Sequence, residues 1–242
     1  MAECARLFPI YLLKINIDCN PFYSGKMQEW FNWQSWKDCV PKGTASSNLA
    51  LSAIEREKAC ISAVRIELFN LIYNMLIIYL ARHGQDEDNA NGVLNGHRDF
   101  PLTEVGINQA QTLADKIKNA DIKFDAIYSS PLKRTLQTAK IIAENTNLED
   151  VVLLEGLIER NFGVMTGKPA KDTEILCAPD ILKTKTITYF LSPKGAETFP
   201  DLCNRAKEII DFVTKKHKNG SVLLVTSGDI GKMIYASYYN LD

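Results

Sequence analysis

The chain has 242 residues, with 28 Lys and Arg against 29 Asp and Glu and 46% hydrophobic residues. That balance excludes a polybasic nucleic-acid-binding surface and supplies ample material for a core. The six cysteines (Cys4, Cys19, Cys39, Cys60, Cys177, Cys203) are widely spaced, with no Cys-x-x-Cys pair and no histidine at metal-ligand spacing. Reduced thiols, a cytosolic location and no metal or other cofactor are therefore expected.

The apolar run Leu7 to Leu13 is weakened as a signal peptide by Glu3 and cut short by Lys14, and no small-residue cleavage site follows. The run Ile66 to Leu80 is too short for a membrane span and contains Glu67, Asn70 and Asn74, so no membrane contact is expected. Residues 1–74 read unlike the rest: Trp30, Trp33 and Trp36 and four of the six cysteines fall there. Pro21, Gly25, Pro41 and Gly43 interrupt any periodicity, while Leu51, Ile54, Ile61, Val64 and Leu68 form an irregular stripe that predicts a helix within residues 48–73. We read residues 1–74 as a poorly ordered, dispensable extension upstream of a native start at Met75, with an aromatic-rich interaction arm as the alternative. Residues 75–242 are the working domain.

Leu76-Ile77-Ile78-Tyr79-Leu80 reads as a strand buried on both faces, and it ends at Arg82-His83-Gly84. In an open α/β sheet, ligands lie beyond the carboxyl ends of the strands, so a guanidinium and an imidazole there point at substrate. Neutral imidazole is a competent nucleophile, and a neighbouring guanidinium binds phosphate and keeps the ring neutral. Taken alone, the tripeptide reads more readily as a surface turn. The acidic run Asp86-Glu87-Asp88 reads as a solvated loop face without metal-site spacing.

Thr103 then predicts an N-cap, and Ala110, Leu113, Ala114 and Ile117 a helix over residues 104–118. Phe124 to Tyr128 reads as a strand, and Ser130 as the cap of a helix with Pro131 at its first position. Val151 to Leu154 is a third strand, residues 161–194 break into short pieces, Leu202 to Val213 forms an amphipathic helix, and Val222 to Thr226 a fourth strand. Alternating strands and helices imply an α/β fold: three layers, with a mostly parallel sheet carrying helices on both faces.

The motifs Arg82-His83-Gly84, Asn89, Asn95-Gly96-His97-Arg98-Asp99-Phe100-Pro101-Leu102-Thr103-Glu104-Val105-Gly106, Gln109-Ala110 and Ser129-Ser130-Pro131-Leu132-Lys133-Arg134-Thr135-Leu136-Gln137-Thr138-Ala139 occur in that order. Together they resemble the histidine phosphatase superfamily, also called the phosphoglycerate mutase-like family, and especially its small phosphatase branch. The resemblance runs from Met75 to Asp242. It implies a phosphomonoesterase acting on a small phosphorylated metabolite, with His83 as phosphoryl acceptor, Arg82 and Arg134 as phosphate-binding arginines, and Glu159 as proton donor to the leaving oxygen. Glu155 is the local competitor for that last role. Asn89, Asn95, Gly96, Ser227 and Gly228 match positions that hold the phosphate or line the substrate loop; ordinary turn residues are their bland reading.

Two departures stand out. The family's second histidine, in a Ser/Thr-His-Gly pattern after the last parallel strand, is replaced in Thr226-Ser227-Gly228-Asp229. A serine hydroxyl donates one hydrogen bond but no positive charge, so a phosphate-binding pseudoenzyme is one alternative; a phosphoglycerate mutase is the other. The family also continues beyond the helix around Met233 to Tyr239 with a further strand, so the sheet is expected to lack an edge strand. Oligomeric state has no signal in the sequence.

Overall fold

The computed structural model describes residues 12–18, 75–184 and 187–239. The chain orders as β1 (Leu12–Asp18), β2 (Met75–Arg82), α1 (Glu87–Asn91), α2 (Glu104–Asn119), β3 (Ala126–Ser129), α3 (Lys133–Thr146), β4 (Val151–Leu153), α4 (Thr173–Cys177), β5 (Ile181–Lys183), β6 (Thr188–Phe190), α5 (Phe199–Lys216), β7 (Gly220–Thr226) and α6 (Gly228–Tyr239). The five-stranded sheet has the order β1-β2-β7-β3-β4, and β5 with β6 makes a separate ribbon.

β2, β7, β3 and β4 run parallel. Their apolar runs are continuous because both faces are covered. Leu76, Ile78 and Leu80 of β2, with Val222 and Leu224 of β7, pack beneath Leu202, Ala206, Ile209, Ile230 and Ile234 of α5 and α6. Tyr79, Ala81, Leu223 and Val225 face the other way, against Leu113, Ala114, Ile117, Ala139 and Ile142 of α2 and α3. The predicted α/β architecture with helices on both sides is therefore present.

The helix over residues 104–118 begins and ends within a residue of the prediction, with Thr103 Oγ1 accepting from the Gly106 N–H at 3.1 Å. The cap predicted for α3 is different. Ser130 Oγ is taken by Thr135 Oγ1 at 2.6 Å, and the first N–H of the helix, at Lys133, donates instead to Asp99 Oδ1 at 2.6 Å. A carboxylate from a distant loop does the work assigned to a local hydroxyl, so the helix start also fixes the loop around residues 95–99.

The composition break at Met75 does not mark the edge of the sheet. β1 pairs antiparallel with β2 along its length, from Leu12↔Ala81 to Asp18↔Met75. Ile15 is only 1% exposed and belongs to the α5/α6-side core. The edge of β2 is thus covered by a segment expected to lie outside the fold. Leu13, Ile15 and Ile17 do alternate with Lys14, Asn16 and Asp18, but this short run sits in an otherwise irregular stretch and its partner lies far along the chain, which hid the strand from a local reading. The helix predicted within residues 48–73 lies outside the described residues.

A chain beginning at Met75 loses this ladder and exposes the edge of β2. Burial of Ile15 alone contributes on the order of 1.5–3 kcal/mol, so denaturant unfolding is expected to find the truncated form less stable by at least that amount. Equal midpoints for the two forms would make residues 1–74 dispensable.

Candidate active site

Parallel pairing brings the chemistry to one edge. Arg82 on β2 is the register partner of Thr226 on β7, and the His83 N–H continues the ladder to the Thr226 carbonyl at 3.0 Å. His83 and Ser227 therefore leave neighbouring strands side by side. β3 lies on the other side of β7 and leads through Ser130 into α3, which carries Arg134; β4 follows β3 and leads to Glu159. Thr226 Oγ1 donates to the Leu157 carbonyl at 2.7 Å, tying the end of β7 to the segment that presents Glu159.

The turn after His83 packs backbone against backbone. A Cβ on Gly84 would collide with the Gly106 carbonyl oxygen, and one on Gly106 with that of Gln85. Two glycines let the first turn of α2 press on the tripeptide, and Gly84 N–H donates to Thr138 Oγ1 of α3 at 3.1 Å.

His83 is 3% exposed, and its Nδ1 lies 2.6 Å from the Gly84 carbonyl oxygen. Only a protonated Nδ1 makes that bond, so the Nε2 lone pair is left for a substrate. Burial, then the positive charges of Arg134 and Arg82, push its pKa well below the usual imidazole range, outweighing the carbonyl contact. The ring is neutral and nucleophilic near neutral pH.

Arg134 is fully buried. Its Nη1 donates to the Arg98 carbonyl at 2.6 Å, its Nη2 to the Gly96 carbonyl at 2.8 Å, and Nε lies 3.4 Å from Asp86 Oδ2. Two of the five guanidinium N–H groups are thus spent on the loop, and one on each Nη remains. Asp86 is correspondingly not a solvated loop residue. It is 0% exposed, its Oδ1 accepts from Asn89 N–H at 2.8 Å as the N-cap of α1, and its Oδ2 accepts from Asn95 Nδ2 at 2.9 Å. Asp88 is also buried and pairs with Arg98 at 3.1 Å. The missed signal was positional: Asp86 precedes a five-residue helix as a good cap, but its charge looked exposed because Arg134 lies far along the chain.

Of the two candidate acids, Glu155 is exposed, while Glu159 is 5% exposed and faces the site. Glu159 Oε1 accepts from Arg160 N–H at 2.9 Å and Asp229 N–H at 3.1 Å, and Oε2 from Gly228 N–H at 2.9 Å. The carboxyl therefore sits on the first turn of α6. Burial, aided by the charge of Asp229, raises its pKa against the opposing pull of the Arg160 N–H, Arg134 and Arg82. A side chain at Gly228 would stand 3.7 Å from Glu159 Oε2 and 4.0 Å from Arg82 Nε, so this glycine borders both groups. Ser227 Oγ is buried without a hydrogen-bond partner among the described residues.

Asn89, Asn95 and Gly96 form the wall that holds Asp86 and Arg134, and His97 Nε2 lies 2.7 Å from the Glu159 carbonyl oxygen. His217 is remote, bonded to Tyr128 Oη at 2.7 Å. Among the described residues no cluster of three or more His, Cys, Asp or Glu is arranged to hold a metal ion. Removing the carboxylate of Asp86 leaves a buried Arg134 charge without its partner, so Asp86→Ala is expected to cost about 3–5 kcal/mol of stability, measurable by denaturant unfolding.

The model of the histidine phosphatase superfamily (branch 1) matches residues 78–242. A metal-independent phosphoserine phosphatase of Arabidopsis thaliana is 32% identical over 161 residues, covering 65% of this chain and 66% of that protein. A 2,3-bisphosphoglycerate-dependent phosphoglycerate mutase of Methylobacterium sp. is 34% identical over 131 residues, covering 53% of this chain and 63% of that protein. The chain thus spans just under two thirds of the length of both curated relatives. A solved phosphoserine phosphatase of Entamoeba histolytica, in complex with 3-phosphoglyceric acid, is 29% identical with a TM-score of 0.55, covering 68% of this chain and 80% of that one. The family match, covering most of the chain and all of the pocket just described, means that the protein belongs to the histidine phosphatase superfamily (branch 1).

Proposed function

We propose that this protein is a phosphomonoesterase that passes the phosphoryl group of a small phosphorylated metabolite to His83 and then to water. The observation that carries the reading is His83 itself, buried, neutral, and anchored through Nδ1 so that the lone pair is left on Nε2. In the first step Nε2 forms a bond to phosphorus as the bond to the leaving oxygen breaks, and Glu159 gives that oxygen its proton. In the second, Glu159 takes a proton from water as the water oxygen attacks phosphorus and the P–N bond breaks. Arg82 and the remaining N–H groups of Arg134 bind the phosphoryl oxygens, and the Ser227 hydroxyl adds one donor. No step needs a metal or cofactor. The unpaired Cys177 and Cys203 are consistent with the reducing cytosol; among the described residues no helix is long and apolar enough to cross a membrane.

Brief incubation with a 32P-labelled phosphate monoester, followed by quenching, is expected to trap acid-labile phosphohistidine, and His83→Ala should abolish it. Label persisting in that variant would remove the nucleophile assignment. Turnover of phosphoglycerates without hydrolysis would favour the mutase reading instead.

The pH profile follows from the two shifted groups. Reaction requires His83 deprotonated and Glu159 protonated. kcat/KM should rise with pH through the depressed pKa of His83 and fall through the raised pKa of Glu159. The result is a bell whose acid limb lies below the usual imidazole range and whose alkaline limb lies above the usual carboxylate range, and Glu159→Gln should erase its alkaline limb.

Ser227 supports a second reading, a phosphate-binding module with slow turnover, because its hydroxyl carries no charge to the site. One preorganised donor is worth on the order of a hundredfold to a thousandfold in rate. Ser227→His is therefore expected to raise kcat well above wild type. A wild-type enzyme as fast as the variant would show that the hydroxyl suffices.

A further inference from the structure

Arg160 follows the acid directly and is 0% exposed, and its ion pair with Asp229 Oδ2 is long, at 3.9 Å. Its guanidinium instead donates to three carbonyls of the insertion that follows the acid, Glu197 at 2.7 Å, Phe190 at 3.0 Å and Leu191 at 2.6 Å. The rings of Phe190 and Phe199 lie 4.7 Å and 4.1 Å from its central carbon, one on the ribbon strand β6 and one at the start of α5. Burying an arginine so completely is costly, and an apolar side chain would fill the same space at less expense. What the apolar residue cannot do is hold three converging carbonyls in one plane, which the rigid fork of donors does.

The backbone of the same residue holds the acid, through Arg160 N–H to Glu159 Oε1 at 2.9 Å. Two further routes join the insertion to the acid. Arg205 grips the Gly156 and Ile158 carbonyls and the Glu197 carboxylate, at 2.6 to 2.9 Å. Lys232 reaches Tyr189 Oη of β6 at 3.1 Å and Asp229 Oδ1 at 3.3 Å, and Asp229 N–H is itself a donor to Glu159. These three routes from the insertion converge on residues 156–160 or on Asp229 in the first turn of α6.

We propose that Arg160 is the positioning residue for the general acid, clamping the insertion so that the carboxyl of Glu159 is held where the leaving oxygen departs. The inference rests on the proton-donor role given to Glu159 above. Its consequence is a dependence on the leaving group. A nitrophenolate departs without help, whereas an alkoxide needs its proton during bond cleavage, and general acid catalysis contributes on the order of a hundredfold or more.

The full chain is assayed with p-nitrophenyl phosphate and with glycerol phosphate. Glu159→Gln serves as the reference, and its selective loss on glycerol phosphate establishes the donor role by itself; equal loss on both substrates would defeat that role and leave the clamp without an object. Given selective loss there, Arg160→Lys, which keeps the charge but not the fork, is expected to lower kcat/KM for glycerol phosphate about tenfold or more while p-nitrophenyl phosphate changes less than about threefold. Introduced into the Glu159→Gln background, Arg160→Lys should cost glycerol phosphate turnover nothing further. Phe199→Leu, which removes one ring from the guanidinium and leaves the hydrogen bonds, provides a milder variant should Arg160→Lys not fold, and the same selectivity in smaller degree is expected. Equal losses on the two substrates in the foldable variant would overturn the proposal and leave Arg160 a structural brace.

Discussion

The site depends on the parallel pairing of β2 with β7. Their register, Arg82 opposite Thr226, brings His83 and Ser227 off the sheet as neighbours, and the His83 N–H to Thr226 carbonyl bond carries the ladder one step past the strands. Since side chains alternate with a period of two, a slip of one residue would turn His83 away and drive half of each apolar run to the wrong face. The two core clusters, one under α5 and α6 and the other under α2 and α3, fix that register from both sides. The packing that stabilises the fold thus also sets the active geometry.

Electrostatics around that edge form one balanced set. Burial first, and then the two arginines that would attract a phosphate, hold His83 neutral, so charges suited to an anion also favour the nucleophilic form of the ring. The buried charge of Arg134 is offset by Asp86 and by the carbonyls of Gly96 and Arg98, which in turn fix the loop at the pocket wall. Asp99 continues that loop onto the first N–H of α3, so helix capping and arginine placement are one structure. Ser227 is the open position in the set, a buried hydroxyl with no hydrogen-bond partner among the described residues.

The insertion between Glu159 and α5 has a small core of its own, built from Phe162, Met165, Cys177 and Phe190. Such a cluster is too small to hold itself against the body of the protein by burial alone, and two buried or half-buried arginines supply the attachment. Arg160 is the chain neighbour of Glu159 and Arg205 grips the Gly156 and Ile158 carbonyls, so both tie the insertion to the main chain around Glu159. That explains how a carboxyl at the end of a loop, with no strand or long helix of its own, is kept oriented.

The sequence by itself determined the parallel sheet, its helices on both faces, and the identity of the groups at its edge. Those features are written in local patterns: an apolar run ending in Arg82-His83-Gly84, Thr103 as a cap, the spacing of Ala110, Leu113, Ala114 and Ile117, and motifs that follow one another in order. What only tertiary structure decided were the contacts between residues distant in the chain. Leu12–Asp18 becomes an edge strand because β2 offers an unpaired ladder, although its alternating run is short and lies far from that partner in the chain. Asp86 becomes a buried counter-ion because Arg134 folds over it, although its neighbours are acidic and it looks solvated. Ser130 loses its cap to Asp99, and Arg160 acquires three carbonyls from residues 190–197, for the same reason. Periodicity reports which face of an element is apolar; it carries no information on which distant polar group will be buried against which, and the partner determines whether a charge is solvated or held in the site.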